Sequence, residues 1–82
     1  MKEVLKFSAA WCGPCQALSM TIKGLEDNTV KITEVDIDDN LDMAAQYNVR
    51  SVPTLVMLED GAEVKRATGA LPVAKLKEFL NG

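Results

Sequence analysis

Two cysteines, Cys12 and Cys15, are the side chains in this sequence best suited to chemistry. A cysteine thiolate is a nucleophile toward disulfides and also a metal ligand, so a pair separated by two residues indicates redox or metal chemistry. The 82 residues contain no histidine and no third cysteine, and a mononuclear zinc site would therefore lack ligands of the preferred kinds. The spacing of the two cysteines and the lack of further zinc ligands favour a redox-active dithiol over a buried core pair or half of a zinc site.

A helix is expected to begin between the two cysteines. Gly13 and Pro14 form a turn, and proline is tolerated in a first helical turn because its missing N–H would have no partner there. Free N–H groups and positive partial charge at a helix N-terminus stabilise an anion, so the pKa of Cys12, expected to be exposed ahead of the helix, should be lowered. One helical face then carries Cys15, Leu18, Ile22 and Leu25.

Apolar runs and turn signals divide the rest of the chain into short elements. Strands are predicted at residues 4–7, 30–37, 54–58 and 62–68, and further helices at residues 41–47 and from residue 72 onward. Asp27 and Asn28 are expected to stop the first helix, Asp60 and Gly61 to form a hairpin turn, and Gly69 to end the last strand. The order β-α-β-α-β-β-α predicts an α/β fold with a mixed four-stranded sheet, its first two strands parallel and helices on both faces.

Several side chains outside the first helix face are expected to point into the core. The second helix, with a cap from residues 38–40, should bury Leu41, Ala44 and Ala45. In the last helix, Val73, Leu76, Phe79 and Leu80 are expected to share one face. Three methionines, Met20, Met43 and Met57, are expected to fill gaps between these residues.

Composition narrows the class of protein. At this length residues 1–82 should form a single domain, and 48% apolar with 26% charged residues is ordinary for a globular protein. The net charge of −3 and the absence of a basic run make nucleic acid a poor candidate ligand. No apolar run approaches the roughly 20 residues that cross a bilayer. No signal-peptide pattern is seen at the start, so the expected compartment is the cytoplasm.

The residues around the cysteines resemble the active-site signature of the thioredoxin family. W-C-G-P-C occupies residues 11–15 between a strand and a helix, Val52-Pro53-Thr54 looks like the family's cis-proline loop, and Gly69-Ala70 is similar to the end of its substrate groove. The resemblance covers essentially the whole chain. The strand and helix that usually precede the active-site strand in the family have no counterpart, so the resemblance implies a trimmed thioredoxin fold, as in small phage and archaeal thioredoxins and in glutaredoxins.

The resemblance implies a role for each residue of the motif. Cys12 attacks a target disulfide and forms a mixed disulfide, and Cys15, one helical turn along, then attacks Cys12 and releases the reduced target. Gly13 and Pro14 set the turn and tune the reduction potential. The identical dipeptide indicates a reductase, because thioredoxins lie at the reducing end of their superfamily.

The resemblance also implies a substrate-binding surface formed by Trp11, Val52, Pro53, Gly69 and Ala70. A cis Pro53 would leave the backbone of Val52 free to pair with an extended substrate, although most X–Pro bonds are trans and an ordinary loop proline is the alternative. Trp11 is expected to be a partly exposed contact residue, with a core tryptophan as the alternative. Gly69 either permits close approach of a substrate backbone or simply ends a strand.

At two positions the chain departs from the family pattern. Lys6 stands six residues before the first cysteine, where the family usually has a buried aspartate, and Ser8 replaces its usual aromatic residue. Glu34 stands nineteen residues before Pro53, where many thioredoxins have lysine. We therefore predict that Lys6 and Glu34 pair beneath the active site, that the ammonium favours the thiolate, and that Glu34 relays the proton for Cys15. The alternative is that Lys6 extends to solvent at the sheet edge.

These residues predict a protein-disulfide reductase without a cofactor or metal of its own. Its electrons would come from a separate reductase of the thioredoxin reductase type, because no G-x-G-x-x-G pattern is present. The expected partners are disulfide-containing proteins, with no direct role for nucleic acid or membrane, and the expected state is a monomer. Two alternatives are a glutaredoxin-like glutathione-dependent reductase, whose usual C-P-Y-C motif and Gly-Gly pair are absent, and a redox-independent scaffold subunit.

Overall fold

The secondary-structure elements follow one another in the predicted order. The computed structural model describes residues 2–25 and 30–81. Its elements are β1 (Lys2–Ser8), α1 (Gly13–Leu25), β2 (Lys31–Asp36), α2 (Leu41–Gln46), β3 (Thr54–Glu59), β4 (Ala62–Thr68) and α3 (Val73–Asn81). Asp27 and Asn28, predicted to stop the first helix, lie outside the described residues. No described helix is long and apolar enough to cross a membrane.

A mixed four-stranded sheet has the order β2-β1-β3-β4, which confirms the predicted fold class. β1 pairs in parallel with β2 and antiparallel with β3, so the strand that leads to the cysteines has a neighbour on both sides. The register with β3 pairs Lys2 with Glu59, and this pairing extends both strands beyond the predicted runs. β1 therefore has a paired neighbour along its whole length.

Helices cover both faces of the sheet. Alternating residues of β1 and β3 face α1 and α3 in one cluster, whose buried members are Val4, Leu18, Val30, Leu55, Met57, Leu76, Phe79 and Leu80. The other face carries a second cluster of Leu5, Phe7, Val35, Val56 and Leu58, against which Met43 and Tyr47 pack. Because side chains alternate along β1, Lys6 and Ser8 share the face of Val4 and lie on the α1 side of the sheet.

The second helix buries less than its sequence suggested. α2 has no buried residue, and Leu41 is 70% exposed, so the predicted inward set of Leu41, Ala44 and Ala45 was wrong. Met43 and Tyr47, four residues apart, contact the sheet instead, and Leu41 lies on the opposite side of the helix. Asn40 occupies the capping position but its side chain makes no cap hydrogen bond.

One methionine was also misassigned by the apolar pattern. Met20 is 76% exposed, because it lies two residues from both Leu18 and Ile22 and therefore on the outer face of α1. Met57 is buried and Met43 is partly buried, as expected for core methionines.

The β3–β4 hairpin follows its turn chemistry. Asp60 and Gly61 both have positive φ, of 52° and 88°, which matches the tight hairpin turn that an Asp-Gly pair predicts. On β4, Arg66 donates two hydrogen bonds to Glu63, at 2.7 and 2.8 Å, and a third to the carbonyl of Tyr47 at 2.7 Å. This guanidinium lowers the pKa of the Glu63 carboxyl. Arg66 thereby ties β4 to the end of α2.

Candidate functional site

The two cysteines form a disulfide at the N-terminus of α1. Their Cα atoms are 5.3 Å apart, and Cys12 comes directly before the first residue of the helix. The backbone amide of Cys15 donates a hydrogen bond to Cys12 Sγ at 3.1 Å. The predicted placement is confirmed, but the predicted exposure of Cys12 was wrong. Cys12 is 4% and Cys15 2% exposed, because Ala9, Ile37 and Val52 pack around the pair.

Trp11 lies beside the disulfide and is 68% exposed, so a core tryptophan is excluded. Its indole N–H donates a hydrogen bond to Asp38 Oδ2 at 3.0 Å. Asp38 follows β2 in the sequence and was predicted only as part of a helix cap. The bond fixes the indole ring next to the cysteines while leaving most of its surface accessible.

The proline loop contacts the same region. The Val52–Pro53 bond is cis, as the resemblance implied, and the side chain of Val52 packs against the cysteine cluster. The amide of Gly69 donates a hydrogen bond to the Pro53 carbonyl at 2.9 Å, which brings the end of β4 next to the loop. Gly69 has a φ of 87°, a conformation that favours glycine, and Ala70 beside it is exposed. Val52 therefore borders the disulfide and Gly69 borders Pro53, while Trp11 and Ala70 adjoin Cys12 and Gly69 in the sequence.

Lys6 and Glu34 form the predicted pair. They are register partners on β1 and β2, and Lys6 Nζ lies 3.1 Å from Glu34 Oε1. The side chain of Lys6 is only 4% exposed, so extension to solvent is excluded, whereas that of Glu34 is 65% exposed. A buried ammonium is thus paired with a carboxylate at the surface.

Two serines complete this group, and sequence reasoning gave neither of them a role. Lys6 Nζ donates a hydrogen bond to Ser19 Oγ, and Ser8 Oγ donates one to Glu34 Oε1 at 3.3 Å. A helical projection could have found Ser19, because it lies four residues after Cys15 and faces the same side. Ser8 could have been found from strand alternation, since it shares a face with Lys6.

These polar groups line a cavity of about 370 Å³ behind the second cysteine. Cys15 forms part of its wall, and the polar lining residues are Lys6, Ser8, Gln16, Ser19, Glu34, Asp36 and Asn40. A polar cavity of this size has room for several water molecules with hydrogen-bond partners. Among the described residues, no cluster of three or more histidine, cysteine, aspartate or glutamate residues could hold a metal ion.

The sequence matches a family model described as Thioredoxin over residues 1–82. The thioredoxin of Mycoplasma genitalium is 40% identical over 80 residues, which are 95% of this chain and 78% of that protein. The thioredoxin of Haemophilus influenzae is 40% identical over 81 residues, or 95% of this chain and 76% of that protein.

Solved structures give the same result. Fasciola hepatica thioredoxin superimposes with a TM-score of 0.89 at 39% identity, covering 98% of this chain and 78% of that one. A mutant thioredoxin from Halobacterium salinarum has a TM-score of 0.89 at 36% identity, covering 98% of this chain and 72% of that one. The likeness therefore extends from the sequence to the whole described fold.

Proposed function

The chain belongs to the thioredoxin family and is a thiol–disulfide oxidoreductase, and on this premise we propose how its own residues carry out the reaction. The Cys12 thiolate attacks one sulfur of a target disulfide, forms a mixed disulfide and releases the other target sulfur. Cys15 then loses its proton and attacks the Cys12 sulfur, so the target leaves reduced and the Cys12–Cys15 disulfide remains. The observation that supports this proposal most directly is the Cys12–Cys15 disulfide, in which the Cys15 amide donates a hydrogen bond to Cys12 Sγ.

Local electrostatics supports Cys12 as the attacking sulfur. The Cys15 N–H stabilises negative charge on Cys12 Sγ, and α1 begins immediately after Cys12 with no acidic residue in its first turn. Both cysteines are almost completely buried, but Cys15 lies within the helix whereas Cys12 precedes it. The choice of Cys12 therefore rests on its position and on the charge at the helix N-terminus rather than on exposure.

We assign the charge and the proton transfer behind Cys15 to different residues. The ammonium of Lys6 favours a thiolate but has no site to accept a proton, whereas the carboxylate of Glu34 has one. Water in the cavity shared by Cys15 and Glu34 can carry the proton between them. Glu34 then returns the proton to the departing target thiolate or to solvent.

Replacing Lys6 with methionine is expected to raise the pKa of the Cys12 thiol by about one unit, because a buried positive charge near the dithiol is lost. The fold should persist, since methionine fills the same space and Glu34 is exposed enough to remain hydrated. Thiolate absorbance against pH measures the shift. Lys31→Met, which removes an exposed lysine from β2, is the control and should leave the pKa unchanged. An unchanged pKa in Lys6→Met would refute the role of Lys6.

We propose that Trp11, Val52, Pro53, Gly69 and Ala70 bind the target protein around its disulfide. Two contacts support this assignment: Val52 packs against the cysteine cluster, and the hydrogen bond from Gly69 to Pro53 joins the end of β4 to the same loop. An extended target segment can add to the Val52 backbone as a short strand, and the exposed indole ring offers an apolar contact.

Proteins of this family reduce disulfide-containing proteins and receive electrons from a reductase. We propose that the donor here is a thioredoxin reductase rather than glutathione. With NADPH, the chain should reduce insulin disulfides when thioredoxin reductase is supplied, and much more slowly when glutathione and glutathione reductase replace it. Turbidity of the freed insulin chains measures the rate. Equal or faster reduction with glutathione would favour the glutaredoxin-like alternative.

We further propose a monomer that works in the cytoplasm, a compartment that keeps cysteines reduced, where the proposed reductase returns the dithiol to its active form after each turnover. A redox-independent scaffold role makes a different prediction. It would survive replacement of both Cys12 and Cys15 by serine, whereas the proposed function is lost entirely in that variant.

A further inference from the structure

A serine on α1 contacts the buried lysine but has no part in the mechanism above. Lys6 Nζ donates a hydrogen bond to Ser19 Oγ, which links β1 to α1 directly behind the disulfide. Ser19 follows Cys15 by four residues, so the two side chains lie on one face of the helix, and both line the same cavity. The ammonium is therefore bonded to the element that also carries Cys15.

The two acceptors of this ammonium differ in how firmly they can hold it. The side chain of Glu34 is 65% exposed, so water competes for its carboxylate, and exposed ion pairs contribute little. Ser19 is half-buried in the middle of α1, and its hydroxyl has less contact with water. Ser19 is thus the firmer anchor for the Lys6 side chain.

The two acceptors also differ in charge and in position. Glu34 lies on β2 and brings a negative charge that offsets the ammonium, as does Asp36, the other carboxylate of the cavity wall. Ser19 is neutral, so it accepts a hydrogen bond without reducing the positive charge. Because Ser19 shares a helix face with Cys15, its hydrogen bond draws the ammonium toward that cysteine and away from β2.

We propose that Ser19 is a positioning residue of the dithiol. It holds the Lys6 ammonium on the Cys15 side of the cavity, where the positive charge stabilises thiolate and so favours the reduced state of the Cys12–Cys15 pair. This inference rests on the proposed function, and Ser19 takes no part in bond making or proton transfer.

Ser19→Ala removes the hydroxyl alone and should fold, because alanine is the stronger helix former. With the anchor gone, the ammonium turns toward Glu34 and solvent, and the thiolate loses stabilisation. The equilibrium constant for oxidation of the dithiol by oxidised glutathione, measured at about pH 8 where a lowered-pKa thiol is ionised, should rise about threefold or more. Quantification of the reduced and oxidised protein by alkylation and mass spectrometry gives this constant.

Three controls separate positioning from a general effect on the helix. Thr21→Val removes a hydroxyl that bonds within α1, to the carbonyl of Ala17, and should leave the constant unchanged. Ser19→Thr restores the hydroxyl and should return the constant toward the wild-type value. In a Lys6→Met background, Ser19→Ala should cause no further shift, because the charge it positions is absent.

The outcomes are distinguishable from a failure of the proposed function. If the wild-type chain forms no reversible disulfide with the glutathione couple, the proposed function itself is wrong. If the wild type equilibrates normally but Ser19→Ala has the same constant, only the positioning role is overturned. A shift of equal size in the Lys6→Met background would also overturn it, because Ser19 would then act independently of the lysine.

Discussion

Replacing Cys15 with serine leaves a protein that attacks target disulfides through Cys12 and then remains covalently attached to them. The second step is intramolecular in the natural chain, and well-oriented intramolecular reactions reach effective molarities of about 10⁵ M or more. Without Cys15 only external thiols can release the target, so we expect turnover to fall by at least about 10³-fold. Non-reducing electrophoresis and intact mass should show a one-to-one adduct on Cys12.

Cys12→Ser is the matched control for this prediction. It should lose turnover to the same extent but form no adduct, because the remaining Cys15 lies within the helix and lacks the amide hydrogen bond that favours an anion at Cys12. An adduct on the Cys12→Ser protein and none on the Cys15→Ser protein would reverse the roles of the two sulfurs.

Replacing Phe7 with alanine is expected to cost about 3–5 kcal/mol in the free energy of unfolding. Phe7 is completely buried, its ring centroid lies 5.8 Å from that of Tyr47, and it pairs in register with Val35 and Thr54. Domains of this size have only about 5–15 kcal/mol of stability in total, so a large part would be lost. Urea denaturation measures the change, and the melting temperature should fall by more than about 10 °C.

Val64→Ala is the control for the stability measurement. Val64 lies on β4 and is 56% exposed, so its truncation should change the free energy of unfolding by no more than about 0.5 kcal/mol. A loss below about 1 kcal/mol for Phe7→Ala would show that Phe7 does not pack against Tyr47 and the second cluster as described.

Apolar runs and turn residues were enough to predict the order of the elements. The short apolar runs of β1 and β3 predicted these strands, and the helical crossover between β1 and β2 required them to be parallel. The pairing of Lys6 with Glu34 was predicted from the resemblance to the thioredoxin family, in which the two positions usually carry the opposite charges, and the register makes them neighbours. The order of the elements depends on local patterns, which the sequence carries directly.

Several features that depend on tertiary packing, and on which the family resemblance gave no information, were not predicted. Leu41 and Met20 are exposed because apolar residues are not required to be inside, and periodicity does not say which apolar residue a short helix buries. The bonds from Trp11 to Asp38 and from Lys6 to Ser19 join residues that become neighbours only after the chain folds. The burial of Cys12 likewise depends on three surrounding segments rather than on its position at a helix start.

The near-complete burial of the disulfide has a kinetic consequence. Attack on a disulfide requires the incoming sulfur to approach with its orbitals aligned to the bond that breaks. Because Cys12 is only 4% exposed, a small thiol can approach its sulfur from few directions. Most collisions of small thiols with the protein surface are therefore unproductive. A protein that first binds to the surrounding loops has its reactive sulfur oriented toward the disulfide before attack. The oxidised chain is therefore kinetically insulated from ambient thiols and open to a partner of matching shape.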